Sequence, residues 1–520
     1  MERTIPRLLF GAAERFGAAP AVEDGATTLS FAELAGAAER ACRALLAFGL
    51  APGERVAIWA PNRWEWIVAA LGVQMAGGAI VTLNTRYKGS EAAYQIRKCR
   101  ARLVFSVEEF LGFRYVDALR EQDLPDLERI ITFGGGDDPF DAFLAEGDGI
   151  APEAARARGE AVAPEDVADL IFTSGTTGHP KAVMAMHGQN LRSCEVWSGV
   201  VGLTQGDRYL VVNPFFHTFG YKAGWLACLM RGATVLPQPA FDVAQVMARI
   251  GKDRVNVLPG APAIYQAMLA HPDREQYDLS SLRLAVTGAA PIPVELIERM
   301  RSELGFEVIV TAYGLTEAAG TVTICERDDD PVTISTTSGK AIPEIEVKCV
   351  DAEGHEVPRG EPGEIWVRGY NVMKGYFEDE AATREAIDPD GWLHTGDVAV
   401  MDERGYVDIT DRIKDMFIMG GFNCYPAEIE SLLFEMPGVA QAAVIGVPDE
   451  RMGEVGMAFV VPRADASLDA EGVVAWAREH MANFKVPRHV AIVPELPMNL
   501  SGKVLKNELR EEAKRRLAAG

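Results

Sequence analysis

The sequence lacks any uninterrupted apolar run of about 18 residues, which is the length that a membrane-spanning helix needs. Its first residues mix Glu2, Arg3, Arg7 and Glu14 with apolar side chains, so they lack the continuous apolar core of a signal peptide. We therefore expect no membrane span and a cytoplasmic protein.

Cysteine is also scarce. The 520 residues contain seven cysteines, at positions 42, 99, 194, 228, 325, 349 and 424, with no Cys-x-x-Cys pair and no histidine at ligand spacing. This distribution favours reduced thiols over disulfides and argues against a structural zinc site.

Positive charge is outnumbered. The chain has 51 Lys and Arg against 75 Asp and Glu, which gives a net charge of −24. Such a surface repels nucleic acid and anionic membranes. Any anionic ligand is therefore expected at a local site that acts against the overall field.

Short apolar segments alternate with amphipathic helical segments between Pro20 and Asn84, and the alternation resumes after residue 181. This pattern predicts a parallel sheet of α/β type. The predicted strands include Val255 to Leu258, Leu284 to Thr287 and Val308 to Ala312. Several of them run into polar or glycine-bearing turns, and in open α/β sheets ligands gather at the carboxyl ends of strands.

The composition changes twice towards the C-terminus. From about residue 338, short segments broken by Gly, Pro and Asp predict a small β-rich subdomain over 338–411. Residues 412–520 contain their own strands and helices, enough for an independent α+β domain. The predicted fold class is thus α/β, with a large N-terminal domain of doubly wound sheets over 1–411 and a small C-terminal domain.

One stretch has the composition of a phosphate-binding loop, and it follows an apolar run, Val167 to Phe172, that predicts a buried strand. Glycines let the backbone approach an anion closely, hydroxyls donate hydrogen bonds and a lysine adds positive charge. The residues are Thr173, Ser174, Gly175, Thr176, Thr177, Gly178 and Lys181. Since Pro180 precedes the lysine and Ala182 follows it, the loop is not a Walker A motif. A solvated linker is the alternative, but linkers seldom follow a buried strand directly.

A second turn, Tyr313-Gly314-Leu315-Thr316-Glu317, combines an aromatic ring, a hydroxyl and a carboxylate. The ring can stack on a purine, the hydroxyl can donate to a phosphate and the carboxylate can ligate magnesium. Alone, such a turn is more often structural. Together with the first loop it predicts a nucleotide site.

Three further residues and one charged run are candidates for functional roles, and each also has a purely structural interpretation. Asp397, on a Gly-Asp turn, suits a ribose diol. The charged run Asp411 to Asp415 lies at the second change in composition, which favours a hinge over a merely solvated stretch. Lys503, on a Ser-Gly turn, could equally be an exposed lysine. His217, on an aromatic loop, is of a kind that more often packs in a core than catalyses.

Taken together, these stretches resemble the adenylate-forming superfamily, and specifically its acyl-CoA synthetases. The matching segments occur in the family's order over nearly the whole chain: Thr173 to Lys181, Tyr313 to Glu317, Thr395 to Asp397, Asp411 to Asp415, Gly420 to Pro426 and Asn499 to Lys503. Two departures are Ala182, where the family commonly has glycine, and Cys424, where valine or isoleucine is usual.

The resemblance implies ATP, Mg²⁺ and CoA as cofactors and a two-step reaction through an acyl-adenylate. It implies a division of the chain into an AMP-binding adenylation domain, 1–411, and a mobile C-terminal domain, 412–520, that turns about Lys414. Lys503 would be the catalytic cation, and Glu317 would hold magnesium. The other roles it implies are Thr316 and the 173–181 loop for the phosphates, Tyr313, Gly288, Ala289 and Ala290 for adenine, Asp397 and Arg412 for ribose, and Gly420, Gly421 and Phe422 for the CoA side. Gly314 would be a further cofactor-binding residue.

The resemblance also implies an acyl pocket, in which His217 would line the site and act in catalysis. Its other residues would be Phe219, Tyr221, Gly288, Gly314 and Leu315. The segments 213–224 and 311–318 resemble those of actinobacterial ligases for ring-bearing propanoates from steroid breakdown. Such a propanoate is the expected substrate.

Other functions stay open at this point. A medium-chain or aryl carboxylate is the alternative substrate, and a freestanding adenylase that loads a carrier protein is the alternative enzyme. A non-catalytic nucleotide-binding module would be expected to lack Lys503 or Glu317, and this chain has both. The expected partners are small molecules and not nucleic acid, with a homodimer as one candidate assembly.

Overall fold

The structure is a computed structural model that describes residues 3–174, 180–288, 292–412, 417–424, 426–463, 466–497, 504 and 506–519. Its α-helices are α1 Ile5–Phe16, α2 Phe31–Ala47, α3 Trp64–Met75, α4 Gly89–Cys99, α5 Tyr115–Arg120, α6 Phe140–Glu146, α7 Pro152–Ala161, α8 His187–Val201, α9 Thr218–Gly220, α10 Ala227–Arg231, α11 Val243–Asp253, α12 Pro262–Ala270, α13 Val294–Leu304, α14 Pro331–Thr336, α15 Glu380–Ala386, α16 Pro426–Phe434, α17 Ala470–His480 and α18 Lys506–Ala519. Short 3₁₀ turns cover Gly147–Gly149, Arg274–Gln276 and Thr316–Ala318, and a π-helical turn covers Tyr221–Leu226.

The strands are β1 Pro20–Asp24, β2 Thr27–Ser30, β3 Arg55–Trp59, β4 Ala79–Thr82, β5 Leu103–Ser106, β6 Glu109–Phe110, β7 Phe113–Arg114, β8 Arg129–Thr132, β9 Val167–Ser174, β10 Pro180–Met186, β11 Arg208–Val211, β12 Thr234–Pro237, β13 Leu284–Gly288, β14 Val308–Tyr313, β15 Thr323–Ile324, β16 Lys340–Ala341, β17 Ile345–Val350, β18 Pro362–Gly369, β19 Gly375–Tyr376, β20 Leu393–Met401, β21 Val407–Arg412, β22 Phe417–Met419, β23 Phe422–Cys424, β24 Val439–Asp449, β25 Gly453–Pro462 and β26 His489–Ile492. The predicted α/β fold class is confirmed.

A seven-stranded sheet has the order β19-β10-β9-β4-β3-β5-β8. From β9 to β8 the neighbouring strands run parallel, while β19 pairs antiparallel with β10. Strands β4 and β5 are buried along their whole length, as expected for a parallel sheet covered on both faces. Strand β9 ends at Ser174, within the predicted phosphate loop.

Two further sheets, β11-β12-β1-β2 and β13-β14-β15-β16, are joined through one residue, Val257. It bridges Tyr209 on β11 and Leu284 on β13, both in parallel. The strand predicted over Val255 to Leu258 is therefore reduced to this single bridge. Backbone hydrogen bonds still continue the ladder on both sides, since the Leu210 N–H donates to the Val257 carbonyl and the Leu258 N–H donates to the Leu284 carbonyl, each at 3.0 Å.

Helix α3 has an apolar sequence because it is buried around its whole circumference. It packs on α2, which begins at Ser30 with a capping box completed by Glu33. At Gly72 an added Cβ would lie 2.5 Å from the Cβ of Ala41, so glycine is needed for the two helices to approach this closely.

The β-rich part of the chain forms a sheet of order β17-β18-β20-β21. Strands β17, β18 and β20 pair antiparallel. The core of this part includes Ile365, Val367 and Leu393.

The chain divides into two compact units. The first comprises Met1–Thr85, Ala93–Phe172 and Ala182–Asp411, and the second comprises Arg86–Ala92, Thr173–Lys181 and Arg412–Gly520. The sheet of the second unit has the order β23-β22-β25-β24, and β26 pairs in parallel with β25.

A buried cation stabilises the second unit. Lys485, with a side chain only 3% exposed, places its Nζ 2.6 Å from Glu428 and 2.7 Å from Glu91. Burial alone would lower the pKa of Lys485, but the two carboxylates hold it above its usual value. The lysine therefore stays charged and links segment 86–92 to α16.

The seven cysteines are all buried free thiols. Burial raises the pKa of Cys42, Cys99 and Cys424 to about 12. Within the part of the chain that the structure describes, no helix combines the length and apolarity needed to cross a membrane.

The first testable consequence concerns His187, which is 1% exposed and accepts the Ile5 N–H at its Nδ1. Burial lowers the pKa of His187 from 6.5 to about 4. Since the unfolded chain binds the proton first, the contribution of this residue to stability is complete above pH 6.5 and falls as the pH drops towards 4. Between pH 7 and pH 5 the loss is about 2 kcal/mol.

We expect His187→Gln to remove this part of the pH dependence, because Gln offers an acceptor but does not titrate. Urea unfolding at pH 7, 6 and 5 measures it. The matched control is His355→Gln, since His355 is 78% exposed. An unchanged slope in the His187 variant would contradict the expectation.

Candidate functional site

The acyl loop, residues 213–224, follows β11 and is clamped at its start by two buried polar residues. The Asn62 amide donates to the carbonyls of Val211 and Asn213 at 3.0 and 2.9 Å and accepts the Phe215 N–H at 2.7 Å. The Thr82 hydroxyl donates to the Phe216 carbonyl at 2.8 Å. The backbone that leads to His217 is therefore held by Asn62, which precedes α3, and by Thr82 of β4.

His217 precedes the short helix α9. Its own surface remains exposed, yet the surrounding protein disfavours a charge and lowers the pKa of His217 to about 4. Its ring packs 4.7 Å from that of Phe216. At neutral pH the imidazole is therefore uncharged, which suits contact with an uncharged ligand.

The rest of the acyl loop is tightly turned. A Cβ at Gly220 would collide with the carbonyl oxygens of Asn213 and Pro214, so no other residue fits there without backbone movement. Phe219 is half-buried. Tyr221 is fully buried and stacks on Trp225, with ring centroids 4.8 Å apart, so its ring lies behind the loop.

The acyl loop contacts the Tyr313–Glu317 turn through two glycines. Gly320 lies against the side chain of Thr218, since an added Cβ there would be 2.9 Å from the Thr218 Cβ. A Cβ at Gly314 would in turn collide with the Gly320 carbonyl. His217 and Phe219 on one side, and exposed Gly314 and half-buried Leu315 on the other, are thus parts of one contiguous region.

Strands β13 and β14 bring the nucleotide candidates together. They pair in parallel with Gly288 opposite Ala312, and a Cβ at Gly288 would lie 2.6 Å from the Ala312 carbonyl oxygen. One residue later, the Tyr313 hydroxyl donates to Asp397 Oδ2 at 2.7 Å. Tyr313, predicted for adenine, and Asp397, predicted for ribose, are therefore in direct contact.

Thr316 and Glu317 open the 3₁₀ turn, and both are half-buried. The Tyr376 hydroxyl donates to Glu317 Oε1 at 2.9 Å, and the Met373 N–H donates to the Glu317 carbonyl at 2.8 Å. The first bond orients the carboxylate, and the second holds the backbone of Glu317. A carboxylate and a hydroxyl on one turn are the oxygen donors that Mg²⁺ prefers, so the residues present fit the expected ion.

Other predicted residues are placed as follows. Thr173 and Ser174 end β9, and Lys181 is half-buried on β10. The buried methyl group of Ala182 is accommodated in β10, whose Ala182 carbonyl accepts the Phe377 N–H. Arg412 ends β21. The predicted residues Gly175, Thr176, Thr177, Gly178, Ala289, Ala290, Lys414 and Lys503 lie outside the described residues.

The CoA-side candidates belong to the second unit. Gly420 and Gly421 form the turn between β22 and β23 with φ of 56° and 85°, a left-handed conformation that favours glycine. Phe422 stacks on Phe484 at 4.8 Å, and the Cys424 thiol donates to the Phe484 carbonyl at 3.0 Å. The residue that departs from the family pattern, Cys424, is therefore a buried support for this turn.

Sequence analysis missed Asn62 and Tyr376. Neither residue carried a signal in the sequence, because the partners of each lie far away along the chain.

Two family models match the chain. The model described as AMP-binding enzyme matches residues 9–377, and the model described as AMP-binding enzyme C-terminal domain matches residues 428–503.

Similar proteins agree with this assignment. A ligase from Rhodococcus jostii, named for joining 3-(7a-methyl-1,5-dioxo-octahydro-1H-inden-4-yl)propanoate to CoA, is 51% identical over 98% of this chain and 99% of its own. A Mycobacterium tuberculosis protein of the same name is 50% identical over 92% of this chain and 93% of its own. The solved structure of o-succinylbenzoate CoA synthetase from Bacillus subtilis has a TM-score of 0.81 at 28% identity, with 97% of this chain and 98% of that one covered. The chain therefore belongs to the AMP-binding enzymes of the adenylate-forming superfamily.

Proposed function

We propose that this enzyme joins a carboxylic acid to CoA with ATP, and that the acid is a propanoate with a fused-ring methyl-dioxo-octahydroindene body. The observation that carries the proposal is the near full-length match, at about half identity, to two ligases named for that acid. The uncharged imidazole of His217 is in keeping with an uncharged ring body.

In the first half-reaction a carboxylate oxygen attacks the α-phosphorus of ATP. The bond from that phosphorus to the bridging oxygen of pyrophosphate breaks, which leaves acyl-adenylate and pyrophosphate. We assign Lys503 to the charge that develops at the α-phosphate, a role worth about 3 to 4 kcal/mol of barrier. The phosphate loop with Lys181 holds the other phosphates, while Tyr313, Gly288, Ala289 and Ala290 hold adenine.

The ribose lies with Asp397 and Arg412 in this assignment. Because Asp397 already accepts the Tyr313 hydroxyl, its orientation is set before the nucleotide arrives. Glu317 would hold magnesium, which would neutralise phosphate charge, and Thr316 would donate to the phosphates. Tyr376 keeps the Glu317 carboxylate turned towards one position.

In the second half-reaction the CoA thiolate attacks the acyl carbonyl, and the bond to the AMP oxygen breaks. We assign the turn Gly420-Gly421-Phe422 to the CoA side. Residues 1–411 would act as the adenylation domain, and 412–520 would turn about Lys414 between the half-reactions. The enzyme would work in the cytoplasm.

The first test of the substrate is a panel of acids. Purified enzyme with ATP, Mg²⁺ and CoA is given linear, aromatic and fused-ring propanoates, and thioesters are quantified by mass spectrometry. We expect kcat/KM for the fused-ring acid to exceed that of the others by about tenfold or more, since a shaped apolar pocket discriminates by this order.

Other outcomes of the panel separate the alternatives. Preference for a medium-chain or aryl acid would discard the fused-ring substrate and keep the ligase. Acid-dependent pyrophosphate release and hydroxylamine trapping without any CoA thioester would indicate an adenylase that loads a carrier protein. Neither product from any acid would indicate a non-catalytic binder.

A second test concerns Glu317. Glu317→Gln preserves size but removes the charge, so we expect the Mg²⁺ concentration for half-maximal adenylate formation to rise about tenfold or more. Tyr376→Phe is the matched variant, because it removes only the hydroxyl donor and should have a smaller effect. An unchanged Mg²⁺ requirement in Glu317→Gln would reject the assignment.

A third test concerns the acyl loop. In Gly220→Ala the new methyl group collides with backbone carbonyls, so we expect KM for the acid to rise about tenfold while KM for ATP changes little. Gly36→Ala is the control, since a Cβ there meets nothing within 4 Å and alanine favours α2. Equal kcat/KM in both variants would show that the loop does not shape the acyl pocket.

A further inference from the structure

A buried ion pair lies behind the acyl loop. The Nζ of Lys222 is 3.3 Å from Oδ1 of Asp169, and the two side chains are 3% and 1% exposed. Asp169 is on β9, and Lys222 is on the π-helical turn Tyr221–Leu226. Neither residue belongs to the site assigned above.

Asp169 is held from a second side by α8. The amide of Asn190 donates to its Oδ2 at 2.5 Å. Burial raises the pKa of Asp169, and the Lys222 charge opposes that effect. The carboxylate therefore depends on both Asn190 and Lys222.

The backbone around Lys222 is tied to neighbouring helices. Its carbonyl accepts the Cys194 thiol of α8 at 2.9 Å. The amide of Gln74, on α3, donates to the Tyr221 hydroxyl at 2.7 Å and to the Ala168 carbonyl on β9 at 3.3 Å. Three elements, α3, α8 and β9, thus converge on the two residues Tyr221 and Lys222.

The same turn supports His217, because the Tyr221 N–H donates to the His217 carbonyl at 2.9 Å. A shift of Lys222 would therefore move Tyr221 and, through this hydrogen bond, the backbone of His217. Strand β9 continues from Asp169 into Thr173 and Ser174, where the phosphate loop begins. The pair consequently connects the acyl loop with the strand that leads to the phosphate loop.

Stability alone does not explain why two charged side chains are buried at this place. Removing two charges from water is costly, and a well-packed apolar pair of similar volume is often as stabilising as a buried ion pair. What an ion pair adds is a defined distance and direction between two elements. Its presence behind the acyl loop therefore points to positioning.

We propose that Asp169 and Lys222 are positioning residues that hold the acyl loop in register with β9 and thereby set the fit of the carboxylate substrate. This inference rests on the acid:CoA ligase function but not on the identity of the acid. Its measurements use whichever acid the unaltered enzyme activates best, and one of them needs no acid at all.

The test compares Lys222→Met with the double variant Asp169→Asn/Lys222→Met, in which Asn is uncharged but keeps an oxygen that accepts the Asn190 amide. The single variant leaves a buried unpaired carboxylate, so we expect poor folding. The double variant removes both charges, and we expect its thermal midpoint to return close to that of the unaltered protein. Despite this, KM for the acid should stay raised about tenfold, with KM for ATP within about twofold.

Hydrogen exchange of peptides covering 213–224, measured without substrate, gives the second readout. We expect exchange in the double variant to be faster there by about tenfold or more and unchanged in peptides covering β13. The control is Glu380→Gln/Arg384→Gln, which removes an exposed ion pair of 3.4 Å within α15. It should change neither readout.

Two results would overturn the inference. One is a double variant in which loop exchange and KM for the acid both match those of the unaltered protein, because the pair would then be structural only. The other is an equal rise in KM for ATP and for the acid, which would show general damage to the site. Absence of turnover with every acid would count against the proposed function, while the exchange measurement would still decide this inference.

Discussion

The parallel pairing of β13 with β14 is the constraint on which the site in the first unit depends. Gly288 lies opposite Ala312 at a distance that allows no side chain, so the two strands end at the same level. Tyr313 then reaches Asp397, and the turn that follows packs through Gly314 and Gly320 on Thr218. A change in that register would displace the nucleotide residues and the acyl loop together.

Much of the fold could be predicted from local pattern. The predicted strands Leu284 to Thr287 and Val308 to Ala312 agree with β13 and β14 to within one residue, because a short apolar run that ends in a glycine-bearing or polar turn has a clear signature. The strand predicted over Val255 to Leu258 is reduced to a bridge at Val257, although its backbone still pairs with both neighbouring strands.

The candidate site divides in the same way. Turns with distinctive composition, such as Tyr313 to Glu317, were found from sequence because glycine, hydroxyl and carboxylate occur within a few residues. Asn62, Tyr376 and the Asp169–Lys222 pair were not, because their function arises from partners more than 50 residues away. Tertiary contacts of single polar residues have no periodicity to reveal them.

The buried thiols have a consequence for the chemistry of an acyl-adenylate, which is an electrophile that any available thiolate can capture. Burial holds the pKa of Cys42, Cys99 and Cys424 near 12, and it raises that of the other four cysteines as well. Thiolate is the nucleophilic form, so the protein offers almost none of its own. The enzyme is thereby protected from self-acylation, and the thiol delivered from solution has no competitor within the chain.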